Sequence, residues 1–321
     1  MDHTHSHIAP TARGGQVKDQ SERRDEAIAS AAEQHEREVR PRLEKLWRYY
    51  RNEGRGRSLG QVEGLPARLK GGLRGALHAG VDDRVASSRE VVIENDIAWR
   101  VHTMVDFMFG KPVRLRSTAS NETRRNAIER VLDAVWESSG GVSLLQDMGL
   151  LAHVFGHADL VLRVDATALA LAGELAVRGE RTVLLGDGLG DGLGDGRVDG
   201  LMGVGDEMRI DVVDPRRGVP VLDEGDYRRL IAYAIHDRVQ QDVYGRESVQ
   251  RSEVFVPWLR RGERDGAVEF IEEQRLLGGR LPVVHVQNVA QPFRYEGLGE
   301  VEPLIALQDE LNTRLSDRAN R

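Results

Sequence analysis

The sequence predicts an α+β fold: a portion made of helices, then a run of short strands, then a helix that ends the chain. Two observations carry this. Apolar residues recur at helical spacing up to about residue 155, and from about 158 the period shifts to that of strands. Turn signals such as Asp214-Pro215 and Asp223-Glu224-Gly225-Asp226 then separate short apolar segments, a pattern that pairs neighbouring strands antiparallel.

Taken in order, residues 1–25 are rich in His, Thr, Ser, Gly and charge, and read as a disordered tail. Alternating His3, His5 and His7 have no Cys or carboxylate cluster beside them to complete a metal site. A helix is predicted over 25–53 from the stripe Leu43, Leu46, Trp47 and Tyr50, with Gly54 and Gly56 ending it. The glycine-rich stretch 54–83 reads as a loop. A second helix is predicted over 88–109, striped by Ile93, Ile97, Val101, Met104, Val105 and Met108 and closed by Gly110-Lys111-Pro112. Val113–Leu115 reads as a short strand.

A helix over 121–138 carries Ile128, Val131, Leu132, Val135 and Trp136, with Ser120 or Asn121 as its cap. Another, over 143–155, carries Leu144, Leu145, Met148, Ala152 and Phe155. Gly156 turns the chain into a strand over 158–164, where Leu160, Leu162 and Val164 alternate with Asp159 and Arg163. Further strands are predicted at 208–213, 219–222, 228–236, 253–258, 268–272 and 281–287. The closing helix, 300–321, puts Leu304, Leu307, Leu311 and Leu315 on one face, an apolar stripe expected to stay exposed in this chain.

Composition narrows the function. With 45 basic and 52 acidic residues the net charge is −7, which argues against a protein that grips nucleic acid over a broad basic face. No cysteine is present, so disulfides, thiolate metal sites and cysteine catalysis are excluded. No apolar run approaches the ~18 residues a membrane span needs. Neither a phosphate-binding Gly-Lys-Ser/Thr loop nor an H-E-x-x-H or G-x-S-x-G motif occurs.

The repeat Gly186-Asp187-Gly188-Leu189-Gly190-Asp191-Gly192-Leu193-Gly194-Asp195-Gly196 could cradle Ca²⁺, but it lacks the length of a calcium β-helix and reads as a flexible loop over 186–200. His153 and His157 stand four apart, a metal-ligand spacing, but no Glu lies between them and the helix is ending. His285, inside an apolar strand, reads as a hydrogen-bonded core or edge histidine. No catalytic, cofactor or metal residue is assigned.

Four stretches resemble the portal proteins of long-tailed, siphovirus-type bacteriophages. They are Asn95–Val101 running on to Phe109-Gly110-Lys111-Pro112-Val113; Gly156-His157-Ala158-Asp159-Leu160-Val161-Leu162; Val212-Val213-Asp214-Pro215-Arg216 with Val219-Pro220-Val221; and Leu281–Asn288 leading through Tyr295-Glu296-Gly297 to Leu307–Asn312 and Leu315–Asn320. The resemblance implies a wing-like α+β domain over 26–300 and the beginning of a stem helix over 301–321, in a chain that stops before the clip and crown. It implies a structural subunit, not an enzyme, in a homo-oligomeric ring, a dodecamer in full-length form. That ring would sit at the capsid portal vertex of the virion, after synthesis in the bacterial host cytoplasm, with no membrane. It would let double-stranded DNA pass during packaging and ejection. Its implied partners are the terminase large subunit, the major capsid and scaffolding proteins, and a head-tail adaptor; no cofactor is implied. Two other readings stay open: a metal-binding enzyme using the Gly-Asp loop or His153 and His157, and a different non-catalytic virion adaptor.

Overall fold

A computed structural model describes residues 13–52, 60–70, 90–164, 208–238, 250–256, 259–264, 267–272 and 281–321. The Gly-Asp segment 186–200 and His3, His5 and His7 lie outside the described residues.

The first helix, α1 (Arg13–Gln34), begins well before residue 25, so residues 13–25 belong to a helix and not to the expected tail. It continues through a π turn, His35–Val39, into α2 (Arg40–Arg51). Pro41, in the first turn of α2, brings no N–H, and the Arg40 N–H reaches back to His35 O. Asn52, in the left-handed region at φ +46°, ends α2 with its N–H on Arg48 O, ahead of the glycines expected to do so.

α3 runs over Asp96–Phe109, shorter at its start than predicted. The Asn95 side chain caps it, accepting from the Ala98 N–H. Residues 90–95, expected as helix, are in no regular element. The buried stripe of α3 is Ile97, Val101 and Val105, while Met104 and Met108 are exposed, against the expected stripe. Val113–Leu115 joins no sheet.

α4 (Glu122–Ser138) is capped by Asn121, whose side chain accepts from the Arg124 N–H, and it packs on β2. α5 (Val142–Phe155) packs on α3 and α2 and leads into the first strand.

Two antiparallel sheets follow. The three-stranded one has the order β2 (Met208–Val213), β1 (His157–Val164), β8 (Val283–Gln287). The five-stranded one is a meander of β3 (Gly218–Leu222), β4 (Leu230–Arg238), β5 (Gln250–Val256), β6 (Leu259–Arg264) and β7 (Ala267–Glu272). The charged strand β6, Leu-Arg-Arg-Gly-Glu-Arg, has no apolar alternation and was not expected. The chain ends in α6 (Ile305–Ala319).

Two cores hold this together. One gathers Leu43, Leu46, Tyr49 and Tyr50 with Ile97, Val101, Val105, Val154, Phe155 and Val301. The other lies between the sheets, with Val161, Val213, Tyr233, Ile235 and Phe255. In β1 the face with His157, Asp159 and Val161 is buried, while Leu160 and Leu162 on the opposite face are only half-buried. The alternation was therefore read with the wrong face inward, and a carboxylate sits in the core.

Candidate functional site

The corner between α5 and β1 is where the separate parts of the sequence converge. Gly156 ends α5 at φ +93°, a conformation that side chains other than glycine rarely adopt. A Cβ there would stand 2.2 Å from Gly297 O, so the two backbones cross in contact. The Asn288 N–H donates to Gly156 O at 2.9 Å and the Glu300 N–H to His153 O at 2.7 Å.

On the other side of the corner, Trp47 stacks on Phe155 at 5.7 Å, and the Arg216 guanidinium lies 4.7 Å from the Trp47 ring centre. Arg216 is also held by Asp214, and the Pro215 carbonyl accepts from His35 Nε2 at 3.1 Å. The Asp-Pro-Arg turn is thereby fixed to the N-terminal helices. Burial lowers the His35 pKa, and the bond to Pro215 opposes that shift.

Beside this corner is a buried hub. Asp159 is 1% exposed. Its Oδ1 accepts from His285 Nδ1 at 2.7 Å and from the Tyr295 hydroxyl at 2.8 Å, and its Oδ2 accepts from the Tyr233 hydroxyl at 2.7 Å. His285 Nε2 donates onward to Tyr295 O at 2.6 Å, so both ring nitrogens face acceptors. Burial alone would raise the Asp159 pKa, but the His285 bond, the nearby imidazoles and Tyr233 more than offset it, and the carboxyl is held below its ordinary value. Burial and the Asp159 charge raise both tyrosines, keeping their hydroxyls as donors. A carboxylate shut away from solvent and fully occupied by donors suits a tie between β1, β4, β8 and the 295 loop better than chemistry on a solute.

A second network is neutral and linear. Gln61, fully buried, donates to Tyr49 O and to Asn95 Oδ1, and accepts from Asn312 Nδ2 at 2.9 Å. Along α6, residues four apart then bind alternate residues of the extended stretch 90–94. Asn312 Oδ1 accepts from the Glu94 N–H at 3.0 Å, Ser316 Oγ from the Val92 N–H at 3.0 Å, and Asn320 Oδ1 from the Glu90 N–H at 2.9 Å. Gln308, Ser316 and Asn320 return hydrogen bonds to the carbonyls of Glu94, Val92 and Glu90. Helix side chains do here what a neighbouring strand would do in a sheet.

All four stretches noted in the sequence meet in these networks: Asn95 in the ladder, Gly156 and Asp159 at the corner and hub, Asp214–Arg216 on Trp47, and His285, Tyr295 and Gly297 closing hub and corner. The family model described as "Phage portal protein, SPP1 Gp6-like" matches residues 30–321. The chain belongs to that family. No curated protein matches the chain. Portal proteins are structural components of the phage capsid that associate as rings.

In this portal protein the polar ladder has a consequence for α6. Its buried residues are Gln308, Asn312 and Ser316; Leu304, Leu311 and Leu315 are half-buried, Leu304 against the first core, and Leu307 is 67% exposed. Leu304, Leu307 and Leu311 form one wall of a groove of about 450 Å³, and Trp99 of α3 stands on the other, 71% exposed.

His153 and His157 are both buried, and the Nδ1 of each has no hydrogen-bond partner among the described residues. Burial lowers both pKa values. Among the described residues no group of three or more His, Asp or Glu could hold a metal ion, and no helix is long and apolar enough to cross a membrane. His285 is a hydrogen-bonded histidine on the edge strand β8, as its sequence context suggests. The residues sequence reasoning missed are Asp159, Tyr233 and Tyr295 of the hub and Gln61, Gln308 and Asn312 of the ladder. A signal existed for the second group alone: Gln308, Asn312, Ser316 and Asn320 recur every four residues.

Proposed function

We propose that this chain is the ring subunit at the capsid portal vertex, the conduit for DNA during packaging and ejection. The ring, a dodecamer in this reading, docks the terminase large subunit during packaging and a head-tail adaptor afterwards, within a shell of major capsid and scaffolding proteins. Residues 26–300 form the wing, and α6 with the residues around it, 301–321, begins the stem. Hydrolysis belongs to the terminase, so the chain itself turns over no ATP.

The family match over 30–321 carries this reading. The net charge of −7 supports it, since each strong Lys or Arg contact to phosphate deepens a trap for moving DNA. The deciding experiment is a nonsense mutation in the encoding gene, with and without the gene supplied in trans. The expected outcome is capsids without DNA, rescued by the supplied gene. DNA-filled, tailed particles in the unsupplemented mutant would overturn the reading.

A further inference from the structure

Exposed apolar side chains are ordinary when scattered singly, and clusters of them mark interaction sites. Among the described residues, two of the exposed apolar clusters differ in shape. One is the groove between α3 and α6, walled by Trp99, Leu304, Leu307 and Leu311, with Asp96 on its rim. The other is a knob on the loop after β8. There Phe293 is 84% exposed, with Val289 and Leu298 exposed nearby at 47% and 40%. The Phe293 backbone stands at φ +62°, a left-handed conformation that bulky residues avoid and that persists where the surrounding structure imposes it.

The two clusters share no residue. A two-fold dimer presents the same patch from both partners, whereas a ring joins two different patches head to tail. The charges beside them are opposite. Asp96 at the groove and Arg294 next to the knob are both exposed; Arg294 lies near enough to Glu302 to act on its charge, and Arg100, the other charged residue lining the groove, is paired with Glu300. A planar guanidinium facing a carboxylate fixes orientation as well as attraction.

We propose that Phe293 of one subunit seats in the α3–α6 groove of the next, with Arg294 against Asp96, as a head-to-tail contact between copies of this chain. The proposal rests on the ring reading and names the surfaces that build it. It also gives the exposed Leu307 a partner: α6 meets its own chain through Gln308, Asn312, Ser316 and Leu304, and turns Leu307 outward.

The chain contains no cysteine, so a disulfide can form only where one is introduced. Two variants, Phe293→Cys and Leu307→Cys, both at exposed positions, are prepared separately, checked for an unchanged melting temperature, and then mixed and oxidised. A covalent dimer in the mixture, absent from either variant alone, is the expected result. Phe293→Ala should raise the dissociation constant for self-association about 30-fold, the scale of a buried aromatic anchor. Asp96→Arg or Arg294→Asp should each weaken association, and the two together should restore it. Self-association of the unmodified chain without cross-linking in the mixture would overturn this pairing and leave the ring reading standing. Equal cross-linking by Phe293→Cys alone would show the knob pairing with itself and overturn it too. Absence of self-association at any concentration, together with DNA-filled capsids in the nonsense mutant, would overturn both.

Discussion

The Asp159 hub and the α6 ladder solve the same problem by opposite means. The hub gathers donors from β4, β8 and the 295 loop onto one buried charge. The ladder spreads neutral bonds along three turns of helix, each rung holding one extended residue. A convergent network fails when its centre is removed, because every donor is orphaned at once. A distributed one should fail rung by rung, with the cost set by how deeply each rung is buried.

The sharpest way to break this contrast is Asp159→Ala. It leaves His285, Tyr233 and Tyr295 without their acceptor in the core, and should cost about 3–5 kcal/mol, the scale of a buried ionic partner removed. Thermal denaturation would register a fall on the order of 10 °C; a change within a degree or two would mean that the hub is no tie at all. In the ladder the largest loss is expected at Asn312, fully buried and bonded to both Gln61 and Glu94. Asn312→Ala should cost about 1–3 kcal/mol and speed hydrogen exchange at the Glu94 amide.

Acid should separate the two networks further. His35, His153 and His157 have pKa values lowered by burial from an ordinary 6.5, so each binds fewer protons folded than unfolded. Stability is therefore complete above about 6.5 and declines as pH falls below it. The lowered Asp159 value works at more acid pH: its contribution is present above 3.8 and is lost as pH falls through the folded value. Melting temperature followed from pH 7 to 5 should drop, and drop less in His157→Gln; an identical slope in that variant would remove His157 from the account. The smallest effects belong to the outer rungs. Ser316→Ala should cost about 1 kcal/mol and the exposed Asn320→Ala less than about 0.5 kcal/mol, each raising exchange only at its own partner, Val92 or Glu90.

The sequence-to-structure comparison follows the same division. Elements that bury apolar side chains on one face were legible: the order of helices and strands, the Asn121 cap, and the stripe Leu144, Ala152 and Phe155. Elements stabilised through polar atoms were not. Residues 90–95 read as helix because Ile93 falls in step with Ile97, but their N–H and C=O groups are taken by α6, which holds them extended. The leucines of α6 read as one apolar stripe, but apolar periodicity does not announce that Gln308, Asn312 and Ser316 are the residues this helix buries. Asp159 reads only as a polar alternate in a strand, because nothing local announces donors that arrive from 74, 126 and 136 residues away. Strand β6 is held by its neighbours β5 and β7 on either side, which its own charged sequence does not signal.

The ladder on α6 also has a ruler's arithmetic. Four residues of helix advance ~6.0 Å, and two residues of extended chain advance ~6.6 Å. Each rung therefore slips against the last by ~0.6 Å, as the graduations of a vernier do against its scale. Two steps, from Asn312 to Ser316 to Asn320, accumulate ~1.2 Å, which side-chain rotation can absorb within hydrogen-bonding range. A few more would carry the pairs out of reach. The mismatch thus limits its own span, and a longer helix could not be tied down this way along its whole length: past Asn320 any continuation of α6 would run free of the strap that holds its first turns.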